Sequence, residues 1–299
     1  MSLDLTGLTA YTDENKLALI RQSILGGKTL SLINLQADIK SSASINILES
    51  DAVFQAGACG WNASGTTTLS QRVITVSAVK QNEALCQDDL EAFYTQKMLK
   101  AGSYNEDLGG IEGLYAEEKA ARSAAAVEQL VWNGDTAGAG NLVMTDGLIK
   151  LIDAEGAVVT GTILALDAAN IVDAIDEMVA AMPTNVIEAT DNTLFIGYEK
   201  YRLYIQQLRN ANLFHNDAQE GDFTYMIHGT NVKMVAVSGL NSTNRIFLAE
   251  ASNLFAGTDL LNDQEDFRIF FSEDNDEVRF KQKFKIGFQM AFPARIVSN

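Results

Sequence analysis

The chain has 299 residues, 47% of them hydrophobic, and its 39 acidic against 22 basic side chains give a formal net charge of −17. That length buries one large core or two coupled ones, and no stretch approaches the roughly 18 consecutive apolar residues that a membrane-spanning helix needs. The charge speaks against a protein that grips phosphates tightly, because phosphate contacts need a basic face.

Residues 1–43 are polar and mixed, with one helix candidate at Asn15–Ser23, and they read as an arm rather than a core element. The opening residues lack a basic start followed by an apolar run and a cleavage site, so a soluble protein made in a cytoplasm is expected. From Ser44 to Cys86, SINILESDAVFQ and TTTLSQRVITVSAVK flank AGACGWNASG, the pattern of two strands around a Gly/Asn turn. Val73 and Ile74 are adjacent apolar residues on opposite faces, so the hairpin lacks a single clean apolar face. It is expected to lie on something other than its own core. A tip near residues 62–65 sets Cys59 opposite the region of residue 68 and keeps it from Cys86. Two cysteines make no disulfide framework, and both are expected as small buried hydrophobes.

Residues 112–132, EGLYAEEKAARSAAAVEQLVW, predict a long helix with acids near its start and alanine through its middle. Gly134 supplies the stop. A second helix runs from about Ala168 to Met182, capped by Asp167 and ended by Pro183. Its stripe is Ile171, Val172, Ile175, Met178, Val179 and Met182, with Asp173, Asp176 and Glu177 opposite. A strand at Thr193–Gly197 leads into a third helix carrying Tyr201, Tyr204, Ile205 and Leu208. Short strands follow, NVKMVAVSG and RIFLAE among them. Near the end, residues 259–277 hold eight acids and one base, Arg268. A period-2 strand follows, with Phe280, Gln282, Phe284, Ile286, Phe288, Met290 and Phe292 on one face and Arg279, Lys281, Lys283 and Lys285 on the other.

Catalytic and ligand motifs are hard to find. GDTAGAG lacks the Lys-Ser/Thr ending of a phosphate loop and follows a helix rather than a strand. SEDNDE lacks the glycine and distal glutamate of a calcium loop and reads as a solvated turn. His215 and His228 are too few for a three-histidine metal site, and no G-x-S-x-G elbow is present. No cofactor and no enzymatic activity are expected. The basic strand face has no interleaved aromatics to stack on bases, and its acidic neighbours would cancel its field.

The order of parts resembles the major capsid proteins of tailed bacteriophages, with the Hong Kong 97-type fold. VWNGDTAGAGNLVMTDGL (131–148) is similar to that family's helix ending in a hydrophobic-Asn-Gly-Asp segment. FRIFFSEDNDEVRFKQKFKIGFQMAFPARIV (267–297) is similar to its closing strand, acidic turn and long return strand. The resemblance implies an α+β chain with an N-terminal arm (1–43) and an extended loop (44–86). A peripheral domain would carry the spine helix (87–159) and the closing strands (251–299), and an axial domain would span 160–250. It also implies a subunit that assembles with itself into pentamers and hexamers around double-stranded DNA, in a virion, without sequence-specific DNA binding and without a membrane. Scaffolding and portal proteins would be further partners.

Two other readings are an encapsulin-like cargo shell of the same fold, and a cytoplasmic acidic enzyme. The polar arm speaks against the first, and the missing catalytic cluster against the second. Within the leading reading, Trp61 and Asn62 at the hairpin tip are contact candidates, because a tryptophan is costly to leave wet. The basic residues Arg279, Lys281, Lys283 and Lys285 are expected to meet acids of a neighbour, among them Glu273, Asp274 and Asp276.

Overall fold

The computed structural model describes residues 26–57, 59–61, 63–86, 109–162, 165–211, 223–259, 266–272, 274–275 and 277–299. The helix candidate at Asn15–Ser23 lies outside them. Residues 26–43 are not a free arm. Leu30 and Ile33 are buried in the main core, and β1 (Asn34–Gln36) runs parallel to the later strand β10 (Leu254–Thr258), in register Leu35 to Ala256. Their spacing, i and i+3, gives one turn of chain an apolar side, too short a signal to separate from a polar arm by sequence.

The segment 44–86 divides at Val76. Strands β2 (Ser42–Ser50) and β3 (Thr67–Thr75) form the hairpin, paired Ser42 to Thr75 through Ser50 to Thr67. The described residues among 52–65 lie outside both strands, so the turn is broader and centred earlier than the spacing predicts. Beyond Val76, β4 (Ser77–Cys86) leaves the hairpin and joins a five-stranded sheet. The alternation of Val79, Gln81, Glu83 and Leu85 with Ala78, Lys80, Asn82 and Ala84 suits a strand in a sheet covered on one side.

Helix α1 (Gly109–Asn133) covers that sheet. Ala116, Ala120, Ser123, Ala124, Val127 and Val131 are all buried and fall at helical spacing. The small side chains let the helix backbone approach the strands closely. Gly134 is required after it, because a Cβ there would run into the backbone of Thr145 and Gly147. Then come α2 (Leu148–Asp153), β5 (Val159–Thr160), α3 (Ile171–Ala181), α4 (Thr184–Ile187), β6 (Asn192–Gly197) and α5 (Tyr198–Asn210). The Asp167 carboxylate does cap, accepting from the N–H groups of Ala169 and Asn170 at 2.8 and 3.0 Å, but regular helix begins at Ile171.

The remaining strands are β7 (Thr224–Met226), β8 (Lys233–Val237), β9 (Phe247–Glu250), β10 (Leu254–Thr258), β11 (Asp266–Ser272), β12 (Glu277–Met290) and β13 (Val297–Ser298). A six-stranded sheet has the order β5-β13-β9-β6-β8-β7. Both its faces are covered, and period-2 alternation assigns them. Leu194, Ile196, Met234 and Ala236 pack with Ile171, Ile175, Met178, Tyr201 and Tyr204 of α3 and α5. Phe195, Val235, Val237 and Phe247 pack with Trp132 of α1. Trp132 lies 5.4 Å from the Phe247 ring, nearly parallel, and 5.2 Å from Phe195. One helix therefore serves both sheets.

Candidate functional site: the hairpin and the basic sheet face

The hairpin has two different faces, and register fixes which residue goes where. Ile45 and Ile47 of β2 share a face with Ile74 and Arg72 of β3, and the three isoleucines are buried. With Ile39, Val76 and Ala291 they form a small core of their own. The expectation that the hairpin lacks a core within its own subunit is thus corrected for its base. The opposite face carries Val73 and the cross-strand pair Leu48–Leu69, which are 64% and 76% exposed. Adjacent apolar residues at 73 and 74 serve two surfaces, one inside the subunit and one outside it. At the tip Phe54 is 96% and Trp61 95% exposed, so Trp61 does not fold back on its own body. Cys59 is exposed as well, against the expectation of burial, because the wide turn leaves nothing to bury it. Asn62 lies outside the described residues.

On β12 the expected split is present. Phe280, Phe284, Ile286, Phe288 and Met290 are buried toward α1, and Gln282 joins them by accepting a 2.8 Å hydrogen bond from the Ser123 hydroxyl. Arg279, Lys281, Lys283 and Lys285 line the other face, half-buried. Here β12 sits between β4 and β11, which sets Lys283 opposite both Lys80 and Asp266, and Lys281 opposite Asn82 and Arg268. Part of the basic row is neutralised at home. Lys285 Nζ is 3.0 Å from the buried Asp259 carboxylate, and Arg279 is 3.4 Å from Glu277. Those acids belong to the 259–277 stretch, so a share of its charge is used within the subunit. Asp274 is exposed in the β11–β12 turn, and Glu273 and Asp276 lie outside the described residues.

Three polar arrangements carry little local sequence signal, the i,i+4 spacing of Asp146 and Lys150 being the exception. Glu128, buried in α1, accepts hydrogen bonds from the backbone N–H and the hydroxyl of Thr29, whose oxygen accepts 2.8 Å from the indole N–H of Trp132. Burial pushes the Glu128 carboxyl above its ordinary range, and the Thr29 hydrogen bonds and Lys28 pull it back only in part. Beside the glycine-rich loop, Lys150 of α2 lies 2.6 Å from Asp135 and 2.7 Å from Asp146. That loop is closed by its own ion pairs. Arg72 reaches Glu155 at 2.5 Å. All three join residues far apart in sequence or across a loop. Among the described residues no group of three or more His, Cys, Asp and Glu side chains comes together around a metal-sized space, and no helix is long and apolar enough to cross a membrane.

No protein-family model matches the chain, and no curated protein matches it in sequence. Solved structures do match in fold. The satellite phage P4 procapsid that includes the size determination protein aligns with TM-score 0.64 and 12% identity, over 95% of this chain and 89% of that one. The capsid of an empty GTA particle aligns with TM-score 0.58 and 12% identity, over 93% and 89%. A virus-like particle from Pyrococcus furiosus aligns with TM-score 0.52 and 13% identity, over 95% and 97%. The α+β architecture is that of Hong Kong 97-type capsid proteins, along nearly the whole of each chain.

Proposed function

We propose that the chain is the major capsid protein of a tailed phage, and that its copies assemble as pentamers and hexamers into the head shell around double-stranded DNA. The fold likeness along nearly the full length supports the class. The observation that carries the reading to assembly is the hairpin, which is anchored at its base and presents Leu48, Leu69, Phe54 and Trp61 to solvent. Such a row on one isolated subunit costs hydrophobic free energy, and a second subunit lying over it would recover that. The negative charge fits a wall that encloses nucleic acid without adhering to it. Scaffolding and portal proteins are the further partners of this reading, the host cytoplasm is the place of assembly, and the virion is the final location. The division into arm, extended loop, peripheral domain and axial domain belongs to the same reading.

The test is assembly of the purified chain, alone and co-expressed with a candidate scaffold protein, followed by sedimentation and negative-stain imaging. Closed icosahedral particles are expected. DNA-filled heads in infected cells support the phage reading, and uniform particles filled with protein cargo support a cargo shell instead. A strict monomer under every assembly condition overturns both.

A further inference from the structure

Two dipeptides in the chain set an Asn or Asp before a glycine, Asn133–Gly134 and Asp146–Gly147. The fold lays one against the other, the Gly147 N–H donating to the Gly134 carbonyl at 2.8 Å. Neither glycine has room for a side chain. A Cβ on Gly134 would run into the Thr145 carbonyl oxygen, and one on Gly147 would stand 2.6 Å from the Gly134 nitrogen and from the Trp132 carbonyl oxygen. Asn133 is bound to its place as well. Its carboxamide nitrogen donates to the Gly239 carbonyl and, at 3.2 Å, to Gln129 Oε1, while Gln129 Nε2 donates to the Ser238 carbonyl at 2.8 Å. Two side chains of α1 thus hold the turn Ser238–Leu240 that follows β8 of the six-stranded sheet.

A glycine after asparagine leaves its backbone nitrogen unshielded, so that nitrogen can reach the carboxamide carbon before it. In the reaction the Gly134 nitrogen attacks Asn133 Cγ, the Cγ–Nδ2 bond breaks, and ammonia leaves with the amide proton. The five-membered imide then takes up one water and opens to aspartate or to isoaspartate. In the folded chain the attacking nitrogen is occupied. The Gly134 N–H continues the helical i to i−4 pattern of α1, donating to the Leu130 carbonyl at 3.1 Å. The leaving nitrogen is held by Gly239 and Gln129. Asp146 is a different case. Its carboxylate accepts from the Thr136 N–H and hydroxyl at 2.8 and 2.7 Å and lies 2.7 Å from Lys150 Nζ. Those contacts keep it ionised, and an ionised carboxylate is a poor target for a nitrogen.

We propose that Asn133 is a site of spontaneous covalent modification, converting to aspartate and isoaspartate when the last turn of α1 opens, and that its contacts with Gly239 and Gln129 hold the reaction off in the folded subunit. Opening of that turn frees the nitrogen and the carboxamide together, so the rate follows the population of the opened state. The product does not close again as before. An aspartate at 133 would turn acceptor oxygens toward the Gly239 carbonyl and Gln129 Oε1, where the amide now donates. Isoaspartate would also lengthen the backbone and break the Gly134–Leu130 bond. Either product loosens the joint between α1 and the six-stranded sheet. The fold requires both partners of the reactive pair, and its closed state keeps them from meeting.

The test uses the unassembled full chain at mildly alkaline pH, with and without denaturing urea, and does not depend on shells forming. Peptides are mapped over time by mass spectrometry that separates aspartate from isoaspartate. In urea Asn133 should convert faster than any other asparagine, with isoaspartate as the main product. The folded chain should convert there at least ~10-fold more slowly, because the opened turn is a minor state, and its Asp146 should stay intact. Gln129→Ala should raise the folded rate several-fold and leave the rate in urea unchanged. If Gln129→Ala fails to fold, graded urea below the unfolding transition replaces it, and the rate should climb while the chain is still folded. Asn133→Asp should melt at a lower temperature than the natural chain. Conversion in urea that spares Asn133 overturns the site. Equal rates in folded and denatured chain, or a folded rate untouched by Gln129→Ala or by graded urea, overturn the protection. Unchanged melting of Asn133→Asp overturns the joint.

Discussion

Trp61 and Glu128 are opposite cases of a residue out of its usual place. Trp61 is a large apolar ring at the surface, and the contact that would cover it is absent from the single subunit. Trp61→Ala should leave the stability of the unassembled subunit within about 0.5 kcal/mol, as for other exposed positions, while each shell contact loses about 2 kcal/mol if the ring is an anchor. Melting unassembled subunits and finished shells side by side measures both, and equal losses would remove Trp61 from the interface. Glu128 is an acid in the core. Its folded-state pKa is raised above the ordinary 4.5 by burial, so the stability it contributes is present below that value and is lost as pH rises through the folded pKa. Glu128→Gln keeps an acceptor for the Thr29 N–H and has no charge to bury. Urea unfolding followed from pH 4.5 upward to neutral pH should therefore show a shallower loss of stability in Glu128→Gln than in the natural chain. Identical slopes would mean that Glu128 does not titrate in this range.

At the scale of elements, β12 decides most of the arrangement. It is long enough to pair with β4 on one edge and with β11 and β10 on the other. That placement sets Lys283 directly opposite Lys80, a like-charge pair, which costs a sheet some stability. The proposal that this face meets acids of a neighbouring subunit gives the cost a reason. Lys281→Glu with Lys283→Glu should leave the isolated subunit about as stable as before, because the repulsion from Lys80 at position 283 becomes attraction while the attraction to Asp266 becomes repulsion. Association should weaken, each exposed pair being worth roughly 0.2–1 kcal/mol and screened by salt. Light scattering during assembly at low and high salt reads the difference. Assembly that is unaltered in the double variant would show that these lysines only face solvent.

Across the whole molecule, Trp132 and the segment 26–33 join what the order of elements suggests are separate parts. Trp132 stacks on the six-stranded sheet from a helix that covers the five-stranded one, and its indole is tied to Thr29. A shared core of this kind couples the two sheets during unfolding. Calorimetry of the unassembled subunit should show one main transition, while amides of the outer hairpin strands exchange well before it, as weakly packed edges do. Two separated transitions of comparable size would instead show that the sheets unfold independently.

Much of this was legible in the residues. Alternation at 280–290, the alanine spacing of 116–131 and the stripe of 171–182 each fix an element and its buried face, because periodicity and burial are the same physical fact seen twice. The succession of those elements was enough to suggest the capsid fold. Tertiary structure alone decided where the 44–86 segment parts, since Val76 differs from its neighbours only in which partner strand is nearer. It also decided the fate of residues 26–43, of Cys59 and of Glu128, whose surroundings come from chain segments roughly 100 residues or more away for Glu128 and Thr29 and carry no local pattern. Periodicity reports which side of an element is buried; only the folded chain determines what lies against it.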